Sequence, residues 1–242
     1  MPKALAPEES KPEDNIGRRD RILRELRRQI AVRGITGITM RDLAEASGVA
    51  TKTLYNLFGS KDALISESVR ESYRIVTGSI TEANGGINGF ERLVSYVSAS
   101  AKFNLSEPVY TRAMIYAYYS ADSSLVSFHR DFHDYLGGAI RGFLVEMQQN
   151  GDLNEWSSPR ILSRQISEAI ISTAAEWTRE VLRDKELVDV SLLAVLSQML
   201  AHVSEPLGVD VKYRIRTLTE KLDTGVKAPA KKSPTSNRQL RE

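Results

Sequence analysis

The 242-residue chain has no cysteine, so disulfides, thiol nucleophiles and thiolate metal sites are excluded, which is compatible with a reducing cytoplasm. Fifteen glycines and eight prolines are too few for a collagen-like or wholly disordered chain. No apolar run approaches the roughly 18 residues needed to span a bilayer. The opening Met1-Pro2-Lys3-Ala4-Leu5-Ala6-Pro7 has no apolar stretch of the signal-peptide kind. A cytoplasmic protein with no membrane partner is expected. What remains is 41% hydrophobic and 26% charged, enough to bury a core in one large or two smaller domains.

The net charge of +2 hides a segregation: residues 1–15 carry −2, 16–65 carry +5, 66–209 carry −6 and 210–242 carry +5. A compact basic segment on a larger acidic body fits a polyanion-binding head, although Arg-rich helices are also simply well solvated.

Helical spacing dominates. Residues 1–15 read as a disordered leader. From Arg18, Ile22, Leu23, Leu26 and Ile30 trace one buried face while Arg19, Arg21, Arg24, Arg27 and Arg28 take the others, and Gly34 is a C-terminal stop. Thr39 is placed to cap a short helix, with Asp42 three residues on. Gly48 breaks that helix, a second runs to Phe58, and Ser60 caps a longer one reaching about Asn84. Beyond the Gly85–Gly89 loop, helices are predicted over about 90–105, 109–121, 125–150, 159–183 and 191–203, the last closed by Pro206 and Gly208. No stretch alternates with period two, so the fold class is all-α. Residues 225–242 read as a disordered basic tail. The expected division is a leader (1–15), a three-helix helix-turn-helix head (16–65), a larger helical effector-binding and dimerisation domain (66–209) and a basic, partly disordered C-terminal extension (210–242).

Two short helices around Gly48 form a helix-turn-helix pattern. Leu43, Ala44 and Val49 close the angle, and Leu54 and Phe58 hold the second helix down. Thr51, Lys52, Tyr55 and Asn56 then face outward near a helix N-terminus, where a recognition helix needs groups that reach bases and phosphates. Lys61 sits in the first turn of the next helix, opposing its dipole by roughly 0.3–1 kcal/mol. A phosphate docked there would account for it.

The run Thr39-Met40-Arg41-Asp42-Leu43-Ala44, then Gly48-Val49, Thr53-Leu54-Tyr55, Phe58, Lys61 and Leu64, resembles the DNA-binding domain of the TetR/AcrR family of bacterial transcriptional regulators. With the preceding helix the likeness covers residues 18–64; the body matches only in size and helical layout. The resemblance implies phosphate contacts from Thr39, Thr53, Tyr55 and Lys61. It implies that Arg41, Thr51, Lys52 and Asn56 read or flank base edges. Leu57 stands where the family commonly carries a polar residue, so base preference does not transfer.

Residues 90–143 hold 11 of the 17 aromatics. Resemblance implies an effector cavity among these helices, and Phe103, Tyr110, Tyr116, Tyr119, Phe128, His129, Phe132 and Trp177 are its candidate lining. Ordinary helix packing is the competing explanation for each. His129 and His133 lie four apart, a zinc-compatible spacing, but no cysteine or HExxH context supports a metal, and no cofactor is expected. Gly138 and Gly142 form a GxxxG that suits close packing or a bend. The apolar residues of 161–203, from Ile161 to Val203, exceed what a terminal hairpin needs, and a homodimer seam would bury them.

The expected function is a ligand-responsive, DNA-binding transcriptional regulator, a repressor released from a near-palindromic double-stranded DNA operator by a small, largely apolar or aromatic effector. An effector-independent DNA-binding or adaptor protein of the same fold is the alternative. Nothing in the sequence supports an enzyme: it has no nucleophile elbow and no catalytic cluster.

Overall fold

The computed structural model describes residues 12–83 and 88–225. Residues 1–11 of the predicted leader, 85–87 of the predicted loop and the basic tail from 226 lie outside them; residues 12–15, expected to belong to the disordered leader, are instead the first turn of α1, because the helix carries on ahead of its buried stripe. Among the described residues all regular structure is helical, apart from one isolated bridge between Leu153 and Val203. The helices are α1 (Pro12–Arg33), α2 (Met40–Ala46), α3 (Thr51–Phe58), α4 (Lys61–Ala83), α5 (Gly89–Ser106), α6 (Pro108–Tyr118), α7 (Val126–Gln149), α8 (Pro159–Thr178), α9 (Asp184–Met199) and α10 (Leu207–Gly225). No described helix is long and apolar enough to cross a membrane.

Helix ends follow local chemistry. Thr39 accepts from the Asp42 amide at 3.1 Å, Ser60 from that of Ala63 at 3.1 Å, and Ser158 from that of Ile161 just ahead of Pro159. Asp42 does not close a reciprocal box; its carboxylate pairs with Arg33 at 2.9 Å, tying α2 to α1.

Ile22, Leu26, Ile30, Leu43, Leu54 and Leu64 are fully buried at the centre of α1–α4. The same core continues along α4 into Phe90, Leu93, Leu136 and Ile140. The expected domain boundary at residue 65 therefore falls within α4, an uninterrupted helix whose first turns pack in the head and whose later turns pack in the body.

The C-terminal third departs from expectation. The helix predicted to reach Arg183 stops at Thr178, and the chain turns at Glu180 with a left-handed φ of 61°. Trp177 donates to Asp184 at 2.8 Å across that turn, and α9 begins seven residues before the predicted Ser191. A further helix follows Pro206, where the reading had closed the last one. Leu207, Val211, Ile215 and Leu218 give α10 an apolar stripe that packs on the core, and Lys221 pairs with the buried Asp189 of α9 at 2.6 Å. Much of the apolar surplus assigned to a dimer seam is consequently buried within one chain: Leu162, Ile166, Ile170, Ala174, Trp177, Val195, Leu196, Met199 and Val203 all lie in its interior.

Candidate DNA interface and effector cavity

The head is built so that α3 has one buried edge and one bare face. Gly48 adopts φ 64°, a region costly to other L-residues, and lets the chain reverse between α2 and α3. Leu54 and Phe58 anchor α3, while Thr39, Arg41, Lys52, Tyr55 and Asn56 are exposed and Thr51, Thr53 and Lys61 half-buried. Among the described residues, the side chains of Arg41 and Lys52 make no hydrogen bond or ion pair. Ala50 precedes α3 without a side-chain cap, so the first amides of α3 remain open beside Thr51 and Lys52. A bare, cationic, hydroxyl-bearing helix start with free amides is suited to a phosphate-lined groove.

Two cations brace this unit. Lys61 Nζ lies 3.4 Å from the Thr36 carbonyl, a bond that supplies a structural reason for a lysine at this helix start. Arg19, which sequence reasoning left among solvated arginines, is a strut. It donates to the Leu57 carbonyl at 2.7 Å, lies 4.6 Å from the Phe58 ring centre and pairs with Glu67 of α4 at 3.3 Å. An arginine next to an apolar stripe was its only sequence signal.

The body contains a narrow cavity of about 70 Å³. Val69, Val76, Met114, Ile115, Leu136 and Ile170 give it apolar walls. Of the sequence candidates, Phe103, Tyr110 and Phe132 line it. The other five do not. Tyr116 and Tyr119 are 79% and 50% exposed and border a separate surface cleft with Arg112 and Arg179. Phe128 is buried against Phe132, behind the cavity wall. His129 Nε2 lies 3.0 Å from the Ala117 carbonyl. Trp177 belongs to a satellite cluster with Ala101 and Leu187. Composition located the aromatic region but gave no means of telling which helix faces converge.

Sequence reasoning missed the α4 wall and the polar end. Val69, Ser72, Tyr73 and Val76 come from the helix that also enters the head. The Tyr110 hydroxyl sits between Ser68 Oγ (3.5 Å) and Ser72 Oγ (3.2 Å) of that helix, so α6 is fastened to α4 beside the cavity. Burial raises the pKa of both Tyr73 and Tyr110, keeping them neutral. Thr111 donates to Asn104 Oδ1 at 3.3 Å, and both residues are part of the cavity lining. The Ser100 hydroxyl, also on the lining, is buried with no partner. No side chain lining the cavity carries a formal charge.

His133 takes a different partner from His129. Tyr118 donates to Glu168 Oε1 at 2.9 Å, and His133 Nε2 lies 2.8 Å from the same hydroxyl. With the tyrosine proton directed to Glu168, His133 Nε2 carries the hydrogen. Among the described residues no group of three or more His, Asp or Glu is arranged to hold a metal. Among the described residues, a Cβ on Gly138 or Gly142 would meet nothing within 4 Å, so packing there gives no reason for the GxxxG.

Comparison with known proteins agrees with this geometry. Residues 22–67, which span the head, match the family model described as bacterial regulatory proteins, tetR family. The HTH-type transcriptional repressor KstR of Mycobacterium tuberculosis is 30% identical over 174 residues, covering 72% of this chain and 76% of that protein. Among solved structures, the fatty acid degradation regulator FadR of Bacillus halodurans superposes with a TM-score of 0.61 at 17% identity, over 73% of this chain and 97% of its own. The Bacillus subtilis regulator FadR, solved in complex with stearoyl-CoA, gives 0.60 at 18% identity, over 74% and 96%. With a matching head, an extended relative reaching well into the body and the same all-helical layout, this chain belongs to the TetR family of DNA-binding bacterial transcription regulators.

Proposed function

We propose that the protein is a homodimeric repressor that holds a near-palindromic operator through two heads and releases it when an apolar effector fills the body cavity. The observation that carries the reading is the bare outer face of α3, held in place by buried Leu54 and Phe58. Thr39, Thr53, Tyr55 and Lys61 take phosphates; Arg41, Thr51, Lys52 and Asn56 read or flank bases. Residues 16–65 act as the head and 66–209 as the effector and dimer domain, with the first turns of α4 shared between them and the rest of α10 packed on the body beyond 209.

The second copy packs against the outer faces of α8 and α9. Ile161 is 52% exposed, Ala169 and Ser172 of α8 allow close approach, and α9 is apolar around its circumference, with Val190 and Leu193 half-buried. Two-fold symmetry sets the α3 helices at successive major-groove faces, about 34 Å apart.

Phe103, Tyr110 and Phe132 bound the effector, with α4 as the opposite wall. FadR of Bacillus subtilis was solved with stearoyl-CoA; here the uncharged, slender cavity supports an effector whose inserted part is a hydrocarbon chain carrying one oxygen acceptor for Ser100 or Asn104. Since α4 and Tyr110 line the cavity and α4 also enters the head, an occupant that shifts α4 changes head separation. A hundredfold loss of operator affinity requires about 2.7 kcal/mol of coupling.

Footprinting upstream of the protein's own gene tests the reading: a protected two-half-site element that is lost on adding a hydrocarbon-chain ligand is expected, and uniform weak protection contradicts it. Two variants sharpen the test. Lys61→Ala is expected to weaken binding evenly across operator sequences and reduce the salt slope by about one, as read by fluorescence anisotropy at several salt concentrations. Ala174→Phe, which fills the cavity, is expected to retain operator binding but resist release, with helical content checked by circular dichroism. Release equal to wild type removes the cavity from the mechanism.

A further inference from the structure

Among the described residues, buried side-chain polar atoms of Gln29, Ser47, Tyr96, Ser100 and Gln198 have no hydrogen-bond partner. Of these, Ser100 is the one on the lining of the body cavity. It is 8% exposed and shares a face of α5 with Phe103 and Asn104, which line the cavity too.

The Ser100 hydroxyl has a nearer partner within reach and does not take it. Serine and threonine inside a helix readily donate to the carbonyl one turn back. Ser72 does so to Ser68 at 3.0 Å, Ser167 to Ser163 at 2.8 Å and Thr173 to Ala169 at 2.8 Å. Ser98, two residues away on the same helix, donates to Val94 at 3.0 Å. The Tyr96 carbonyl offers Ser100 the equivalent bond, and that bond is not made. Asn104, by contrast, is engaged: it accepts from Thr111 and so ties α5 to α6. Ser100 therefore keeps a hydrogen-bonding group for an occupant of the cavity. A buried hydroxyl left unmet is costly, so a site of this kind favours a ligand that meets it over one that does not.

The same interior disfavours negative charge. Burial raises the pKa of the Tyr110 hydroxyl although Ser68, Ser72 and Arg27 of α1 act in the opposite sense, and it raises that of Tyr73 as well. An ionised carboxylate drawn between these walls meets the same penalty, with no cation on the lining to offset it.

We propose that Ser100 is the specificity-determining donor of the cavity, selecting effectors that carry an uncharged oxygen acceptor on a hydrocarbon skeleton and rejecting ionised acids of the same length. The proposal rests on the effector-cavity reading above and deepens it, assigning the recognition of the ligand oxygen to Ser100 and its chemistry to a neutral group such as a carbonyl or hydroxyl.

Thermal unfolding of the full chain with heptan-2-one, heptan-2-ol, heptanoate and 2-methylhept-1-ene, an oxygen-free isostere of the ketone, tests it, because each ligand raises stability according to its affinity. Native protein, Ser100→Ala and Ala174→Phe are compared. Native protein is expected to bind heptanoate at neutral pH at least about a hundredfold more weakly than heptan-2-one. Ser100→Ala is expected to shift selectivity about tenfold away from both the ketone and the alcohol and toward the alkene. Its urea midpoint is expected to equal or exceed that of native protein, since the substitution removes an unpartnered hydroxyl. Heptanoate bound as tightly as the ketone, or ketone selectivity unchanged in Ser100→Ala, overturns the proposal. A lower urea midpoint also overturns it, because the hydroxyl would then support the fold. Ala174→Phe separates the two readings. If it blocks the ligands while Ser100→Ala leaves selectivity unchanged, the cavity stands and the role of Ser100 falls. If it binds all four as native protein does, or native protein binds none of them, the effector-cavity reading falls and this proposal with it.

Discussion

Replacing Arg41, Lys52 and Asn56 together by alanine is expected to lower operator affinity about a thousandfold, to the level of binding to arbitrary duplex. All three side chains are exposed, and among the described residues the arginine and lysine have no hydrogen-bond or ion-pair partner, so their removal is expected to take away the proposed DNA contacts and little of the fold. Unfolding in urea should therefore stay within about 0.5 kcal/mol of wild type. Anisotropy titration on the selected operator and on a scrambled duplex reads both affinities. A loss below about tenfold, or an equal loss on both duplexes, would mean that sequence is not read by this face.

Leu54→Ala is expected to reach the same loss of binding by another route. Leu54 is fully buried and is one of two anchors of α3. Truncating such a leucine costs about 2–5 kcal/mol, depending on how far the site collapses. The head is small, and among the described residues the exposed Lys52, Tyr55 and Asn56 of α3 make no side-chain bond to compensate. Urea unfolding should show a drop of at least about 2 kcal/mol, with operator binding weakened in parallel. Stability unchanged alongside lost binding would contradict the anchoring role. The two variants thus separate reading from holding: the first keeps the fold and loses specificity, the second loses both.

The head was legible in the sequence because its determinants are local. Thr39, Gly48 and Ser60 act within three or four residues of themselves, and Leu54 and Phe58 share a helix face by spacing alone. The C-terminal third was less legible for an identifiable reason. The apolar residues of α9 surround the helix, so no periodic stripe marks its start at Asp184. Pro206 and Gly208 read as a stop, yet proline just ahead of a helix suits a start equally well, and the stripe of Leu207, Val211, Ile215 and Leu218 carried the missing helix. Because α10 packs on α9, apolar side chains that suggest a dimer seam from sequence are in part covered within one chain.

The cavity required contacts that no spacing rule supplies. Tyr110 meets Ser72 and Phe132 meets Tyr73 only because α4, α6 and α7 pack together, joining residues 38 and 59 positions apart. Tyr116 lies on the same short helix as Tyr110, but on its solvent side. Lys61 carries a parallel lesson. Its place at a helix start points to phosphate, whereas the fold shows its bond to the Thr36 carbonyl, beside which the proposed phosphate contact would have to form.

The most direct test is an in vitro selection of fragmented genomic DNA by the purified full chain, sequenced after several rounds at physiological salt. Enrichment of a two-fold-related motif, with half-sites about one helical turn apart and lost in the Arg41, Lys52 and Asn56 triple variant, is the predicted result. Recovery of fragments in proportion to their abundance, with no shared motif, would contradict the claim that α3 reads a DNA sequence.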